Sequence, residues 1–265
     1  MMKLAWVTDI HLDFLGDAES VRFCDSIKKA EPDGVLVGGD IAQAVSFESA
    51  LRGMEHRIQK PIWFVLGNHD FYGDSVAAVR ERAAALSREG RRVWLGAVEV
   101  VELTPRTALV GHDGWGDARL GDHARSTVVL NDFFRIADLS QPDKTHLADA
   151  LRRLGEESAA HLRRVLPRAL ERFEQVVVLT HVPPFREACW HQGRIAGDEY
   201  LPYFACKATG DALLEEASRH GDRLVTVLCG HTHSAGECRP LPNLRVLTGA
   251  AEYGKQAIQW PLLNA

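Results

Sequence analysis

The chain has 265 residues, 46% of them hydrophobic and 25% charged, an ordinary composition for a globular protein with a substantial core. Its formal net charge is −5, from 31 basic and 36 acidic residues, so it carries no electrostatic footprint for bulk nucleic acid or an anionic membrane, and neither is an expected partner. The five cysteines (Cys24, Cys189, Cys206, Cys229 and Cys238) form an odd set without a CxxC pair, which argues against a disulfide framework or a thiolate zinc site.

The opening apolar run is too short for a signal peptide, and no stretch approaches the ~20 apolar residues that span a bilayer; a cytoplasmic location is expected. No Gly/Ser/Pro-rich linker or internal repeat divides the chain, so residues 1–265 read as one domain.

Taken in chain order, six apolar runs have the character of buried strands: LAWVTDIH, DGVLVGGD, PIWFVLGNHD, TALVGHDGW, VVVLTHVPP and LVTVLCGHTH. Between them the apolar spacing predicts helices over about Ala18 to Ala30, Ser46 to Ile58, Ser75 to Glu89, His146 to Phe173 and Asp211 to Arg219. Strands alternating with helices predict an α/β fold, in which ligands bind beyond the carboxyl ends of the strands. Two segments break the alternation, near 116–144 and 183–209, and long connections of this kind are commonly lids or substrate loops.

The strand-like runs end in polar clusters with metal-ligand chemistry. Asp9-Ile10-His11 closes the first run, and on an extended strand side chains two apart would share a face. Asp40 follows Gly38-Gly39, where missing side chains permit a sharp turn, and a carboxylate's two oxygens suit it to bridge two cations. Gly67-Asn68-His69-Asp70 offers a neutral amide oxygen beside a His-Asp pair with acid/base capacity. His181 precedes Val182-Pro183-Pro184, and His231-Thr232-His233 repeats the two-residue spacing with imidazoles, the commonest protein ligand for transition metals.

In this order, Asp9-x-His11, Gly39-Asp40, Gly67-Asn68-His69-Asp70, His181 and Gly230-His231-x-His233 resemble the calcineurin-like metallophosphoesterase superfamily across residues 9 to 233. The resemblance implies a four-layer αββα sandwich with a binuclear centre at the strand carboxyl ends. It implies that Asp9, His11, Asp40 and His233 hold one metal, that Asp40, Asn68, His181 and His231 hold the other, and that Asp40 bridges. It further implies that His69 acts as a catalytic acid with Asp70 as its orienting partner.

Two divalent cations balanced by only two carboxylates would keep the centre cationic, able to bind a phosphoester and acidify a bridging water. The mixed His, carboxylate and amide set suits transition metals, with Mn, Fe or Zn expected. The expected reaction is hydrolysis of a small phosphomonoester or phosphodiester, a nucleotide among the candidates, by a metal-bridging hydroxide. A non-catalytic scaffold on the same fold and a nuclease are the alternatives.

The Arg-containing GDxVDRG pattern of the Ser/Thr phosphatase branch is replaced here by Gly39-Asp40-Ile41-Ala42-Gln43-Ala44. Substrate contacts are expected from His112, Asp113 and Trp115 at the end of the fourth run, with Arg119, Arg186 and Lys207 from the irregular segments.

Overall fold

In the first strand, side chains alternate between two apolar environments: Leu4 and Trp6 point one way, and Ala5 and Val7 the other, all fully buried. A strand buried on both faces needs covering layers on both sides. The computed structural model describes residues 2–264, with side chains through residue 259, and it supplies those layers.

The first half of the chain runs β1 (Lys3–Val7), α1 (Asp17–Lys29), β2 (Gly34–Gly38), α2 (Phe47–Ile58), β3 (Ile62–Val65), α3 (Val76–Leu86) and β4 (Arg92–Trp94). A hairpin of β5 (Val101–Thr104) and β6 (Thr107–Gly111) leads to α4 (Asp132–Arg135), α5 (Lys144–Arg172) and β7 (Gln175–Leu179). Next come β8 (Trp190–His191), β9 (Arg194–Ile195), α6 (Leu201–Phe204), α7 (Lys207–Arg219), β10 (Leu224–Cys229), β11 (Gly236–Leu241), β12 (Leu244–Thr248) and β13 (Gln259–Asn264).

These strands build a five-stranded sheet, β13-β1-β2-β3-β4, and a six-stranded sheet, β11-β12-β10-β7-β6-β5. Each has a parallel centre, with antiparallel pairing at β13, β11 and β5. Leu4, Trp6, Leu36, Trp63 and Val65 of the first sheet meet Leu109, Leu179, Leu228 and Leu247 of the second in one apolar layer. The outer face of the first sheet packs on α1, α2 and α3, and that of the second on α5 and α7. The result is the expected four-layer αββα arrangement.

The helices follow their apolar spacing. In α2, Phe47, Leu51, Met54 and Ile58 are all buried, and each such side chain contributes roughly 1.5–3 kcal/mol of burial. Helix α5 begins at Asp143, whose carboxylate accepts the backbone N–H groups of Thr145 and His146 at 2.9 and 3.0 Å, a favourable N-cap. Its 29 residues are too polar for a bilayer, and among the described residues no helix is long and apolar enough to cross a membrane. All the central parallel strands end toward the edge where the two sheets' loops converge. That edge carries the polar clusters.

Candidate dimetal centre

The pleat of a strand does not bring Asp9 to His11. β1 ends at Val7 and β10 at Cys229, so both pairs lie in the turns beyond. Asp9, His11, Asp40, His231 and His233 all have left-handed backbones, with φ of 51°, 39°, 50°, 69° and 61°, five of the nine such non-glycine residues among those described. Left-handed geometry costs roughly 1–2 kcal/mol per residue, and it persists where the surroundings over-determine it.

Here the side chains themselves hold the turns. The His231 backbone N–H donates to both Asp9 oxygens at 2.9 and 3.1 Å, and the His69 N–H donates to Asp40 Oδ1 at 2.8 Å. The approach is close enough to require glycine: a Cβ on Gly67 would overlap Asp40, and one on Gly230 would overlap Asp9 and Thr8.

Asp9, His11, Asp40 and His233 can each direct one ligand atom into a volume where all four lie within 4.8 Å of one another. Both His11 ring nitrogens are buried without a hydrogen-bond partner, an expensive state for a polar group unless a cation takes a lone pair. Burial pushes the His11 pKa down to about 4, so the ring is held in the neutral, ligating form. Asp40 behaves in the opposite sense to Asp9. Burial, then the charge of Asp9, pushes the Asp40 carboxyl well above the usual range. For Asp9, burial acts upward, but the His233 hydrogen bond and the charges of His181, His233 and His11 hold it well below. Two buried carboxylates this close cannot both be anions without added positive charge.

Asp40, Asn68, His181 and His231 form a second set. His181 Nδ1 lies 2.8 Å from the Gly38 carbonyl and His231 Nε2 lies 3.1 Å from the Tyr203 carbonyl, so these nitrogens carry the protons. That leaves His181 Nε2 and His231 Nδ1 as acceptors, 3.1 and 2.9 Å from Asn68 Oδ1. The amide is fixed in this orientation because its Nδ2 donates to Asp132 Oδ1 at 2.9 Å. Asp40 Oδ1 lies 3.4 Å from His181 Nε2. Asn68 Oδ1, His181 Nε2 and His231 Nδ1 thus face one another as three acceptors with no donor among them, an arrangement that a cation resolves.

His69 stands beside these sets. Its ring stacks on Tyr72 at 4.3 Å and meets His11 edge-on at 4.6 Å, its Nδ1 is buried without a partner, and burial lowers its pKa to about 2. Asp70 does not orient this ring. Its Oδ1 accepts from the Ile41 and Ala42 N–H groups at 2.9 and 3.0 Å and its Oδ2 from Gly67 N–H at 2.8 Å, so it ties the loop after β3 to the loop after β2. Both Asp70 oxygens are engaged by buried amides, and neither bonds the His69 ring.

The expected substrate contacts of the fourth run lie inside the fold. Asp113 is fully buried, accepting from Leu66 N–H, Trp94 Nε1 and Arg80 Nε at 2.9, 2.8 and 3.0 Å. His112 is buried against His161, ring centroids 5.1 Å apart. Trp115 packs edge-on to Phe71 behind Asn68 and His231. The loop after β6 runs through the interior behind the candidate ligands, where the Asp113 carbonyl accepts the His181 N–H at 2.8 Å and Trp115 lines a small cavity with Asn68 and His231. Arg119 pairs with Asp117 and Glu156, Arg186 with Asp198, and Lys207 with Asp211, so each already has a carboxylate partner.

Several residues at the site had no counterpart among the sequence expectations. Asp132 and Arg135 come from α4, and the Tyr203 carbonyl from α6. Arg135 lies over the Tyr72 ring at 4.8 Å and donates to Gln43 Oε1 at 2.8 Å, and Gln43 in turn donates to Asp13 at 3.0 Å. Tyr72 follows the GNHD motif by two residues, a proximity that could have flagged it; the others occupy stretches without a motif.

Among curated proteins, none has a sequence matching this chain significantly. Of solved structures, a phosphopantetheinyl hydrolase from Mycobacterium tuberculosis is similar at 18% identity with a TM-score of 0.69, covering 95% of this chain and 90% of its own. A dimetal phosphatase from Danio rerio is similar at 14% identity with a TM-score of 0.58, covering 94% and 87%. At such identities the likeness concerns the fold. Residues 2–235 match the sequence model described as calcineurin-like phosphoesterase; with its ligand-bearing turns inside that span, the chain belongs to the calcineurin-like phosphoesterase family and is a hydrolase of phosphoric esters.

Proposed function

We propose that the chain hydrolyses a small phosphomonoester or phosphodiester at a two-metal centre, with His69 as general acid. The observation that carries this reading is the position of Asp40 between the two sets: Oδ2 lies 3.6 Å from His11 Nε2, and Oδ1 lies 3.4 Å from His181 Nε2. The residues fit two transition-metal ions of the Mn, Fe or Zn type, one held by Asp9, His11, Asp40 and His233 and the other by Asp40, Asn68, His181 and His231. When bound, such ions supply Lewis-acid stabilisation of the phosphoryl oxygens and an acidified water.

The protein's own groups do the rest. Asn68 ligates without adding negative charge, so the centre stays attractive to a phosphate. The Gly38 and Tyr203 carbonyls fix the tautomers of His181 and His231, an outer-shell role that orients ligands and raises their basicity. In this reading His69, beside the first set, protonates the leaving oxygen; burial disfavours its imidazolium, and the negative charge of a bound phosphate favours the protonated form. The irregular segments border the centre in this reading: α4 brings the buried Asp132 to Asn68 and Arg135 over Tyr72, and α6 brings the Tyr203 carbonyl to His231.

The test is a turnover panel of monoesters and diesters on protein reconstituted separately with Mn, Fe and Zn. Hydrolysis that depends on metal and vanishes in Asp40→Ala supports the reading. A protein that binds two ions per chain yet hydrolyses no phosphoester sinks it.

A further inference from the structure

Phe14 and Tyr253 leave a contiguous aromatic surface in water beside the first ligand set. Phe14 is 54% exposed and Tyr253 is 48% exposed. Their ring centroids are 4.9 Å apart. Tyr253 lies 4.7 Å from the His11 ring and 5.4 Å from the His233 ring, and Phe14 lies 5.8 Å from His11.

The two rings arrive from opposite ends of the chain. Phe14 closes the turn after β1, where its N–H donates to the His11 carbonyl at 3.0 Å. Tyr253 sits in the turn after β12, which is anchored by Ala251 N–H on the His233 carbonyl at 3.3 Å and by two bonds between Ala250 and Gln259 at 2.9 and 2.7 Å. Each ring is thus tied through backbone to a candidate metal ligand. Other exposed large apolar side chains, such as Val45, Val129 and Phe134, make no aromatic contact with the ligands.

We propose that Phe14 and Tyr253 form a stacking platform for a planar heteroaromatic group carried by the phosphoester, so that the substrate is a nucleotide. The proposal rests on the phosphoesterase reading above. Both rings lie within 6 Å of the His11 ring, so an organic group carried by a phosphate at the first set has them within reach, and an aromatic face is the surface on which a base of any sequence stacks. The two ring planes are inclined by 44°, so a planar group stacks on one face and meets the other ring at an angle, a contact that a purely aliphatic leaving group would not gain.

The test compares adenosine 5′-monophosphate with ribose 5-phosphate, by calorimetric binding to metal-loaded protein and by phosphate release. The wild type binds the nucleotide about ten- to a hundred-fold tighter than the sugar phosphate. In the double variant Phe14→Ala/Tyr253→Ala the ratio of the two dissociation constants collapses toward one, and in Tyr253→Phe it is kept. Both residues are exposed, so the double variant is expected to fold, and circular dichroism checks this. A wild-type ratio near one, or a double variant that weakens both ligands equally, overturns the stacking role while ribose 5-phosphate turnover leaves the phosphoesterase reading standing. Metal-loaded protein that neither binds nor hydrolyses either phosphate overturns the stacking role, and silence on the full panel of monoesters and diesters overturns the phosphoesterase reading as well.

Discussion

The orientation of the Asn68 amide hangs on one oxygen. Asp132 Oδ1 accepts from Asn68 Nδ2 at 2.9 Å and from the Tyr72 hydroxyl at 2.6 Å. Asp132→Ala removes the restraint, and the amide is then free to turn its NH2 toward His181 Nε2 and His231 Nδ1, where it would donate into the lone pairs a cation needs. Loss of an outer-shell partner typically costs 10–100-fold in metal affinity, about 1.4–2.7 kcal/mol.

The same change strands the buried Tyr72 hydroxyl, at about 1–3 kcal/mol of fold stability. Competitive chelator titration should therefore show one of two ions per chain weakened, the other nearly unchanged, and a lowered urea midpoint. Asp132→Asn keeps an acceptor for at least one donor and should lie between wild type and Ala. Two ions retained in Asp132→Ala with wild-type affinities would refute the account of how Asn68 is set.

His69→Ala should lower kcat by about 10²–10⁴-fold on esters with poor leaving groups and much less on p-nitrophenyl esters, whose departure needs little protonation; equal losses on both would exclude the acid role. Arg80 neutralises the fully buried Asp113 at 3.0 Å, so Arg80→Met should cost about 3–5 kcal/mol in urea unfolding by leaving an uncompensated charge. Burial holds His112 and His161 down to about 3 and 4, against 6.5 ordinarily. The unfolded chain therefore takes up these protons first, and stability present above pH 6.5 is lost as pH falls toward about 4 for His161 and about 3 for His112, with a limiting slope of about 1.4 kcal/mol per pH unit for each ring. The difference between wild-type and His161→Phe stability curves isolates that contribution; parallel curves would show that His161 is not held neutral.

The layers of this fold were legible because burial on both faces of a parallel sheet writes near-continuous apolar runs, and α2 and α5 write their periodic stripes beside them. The candidate ligands were legible as candidates too, since Asp, Asn and His concentrated at the ends of those runs have little packing reason to be there. What the sequence could not express was the direction in which each turn leaves its strand. Asp9 and His11 converge through left-handed turns held by His231 N–H, not through the pleat, and the loop carrying His112, Asp113 and Trp115 turns inward although it too follows a strand end. Asp70 likewise looks like an acid/base partner beside His69 until the loops are stacked and its oxygens are seen to accept three amides.

Asp132, Arg135, Tyr203 and Tyr253 are brought to the site by connections without periodicity, across 60 positions of separation in the case of Tyr72 and Asp132. Local sequence determined which side chains could serve a metal and a phosphate. Long-range packing of the two sheets decided which acceptors face one another, because only the closed tertiary structure sets the distances on which charge, desolvation and hydrogen bonding depend.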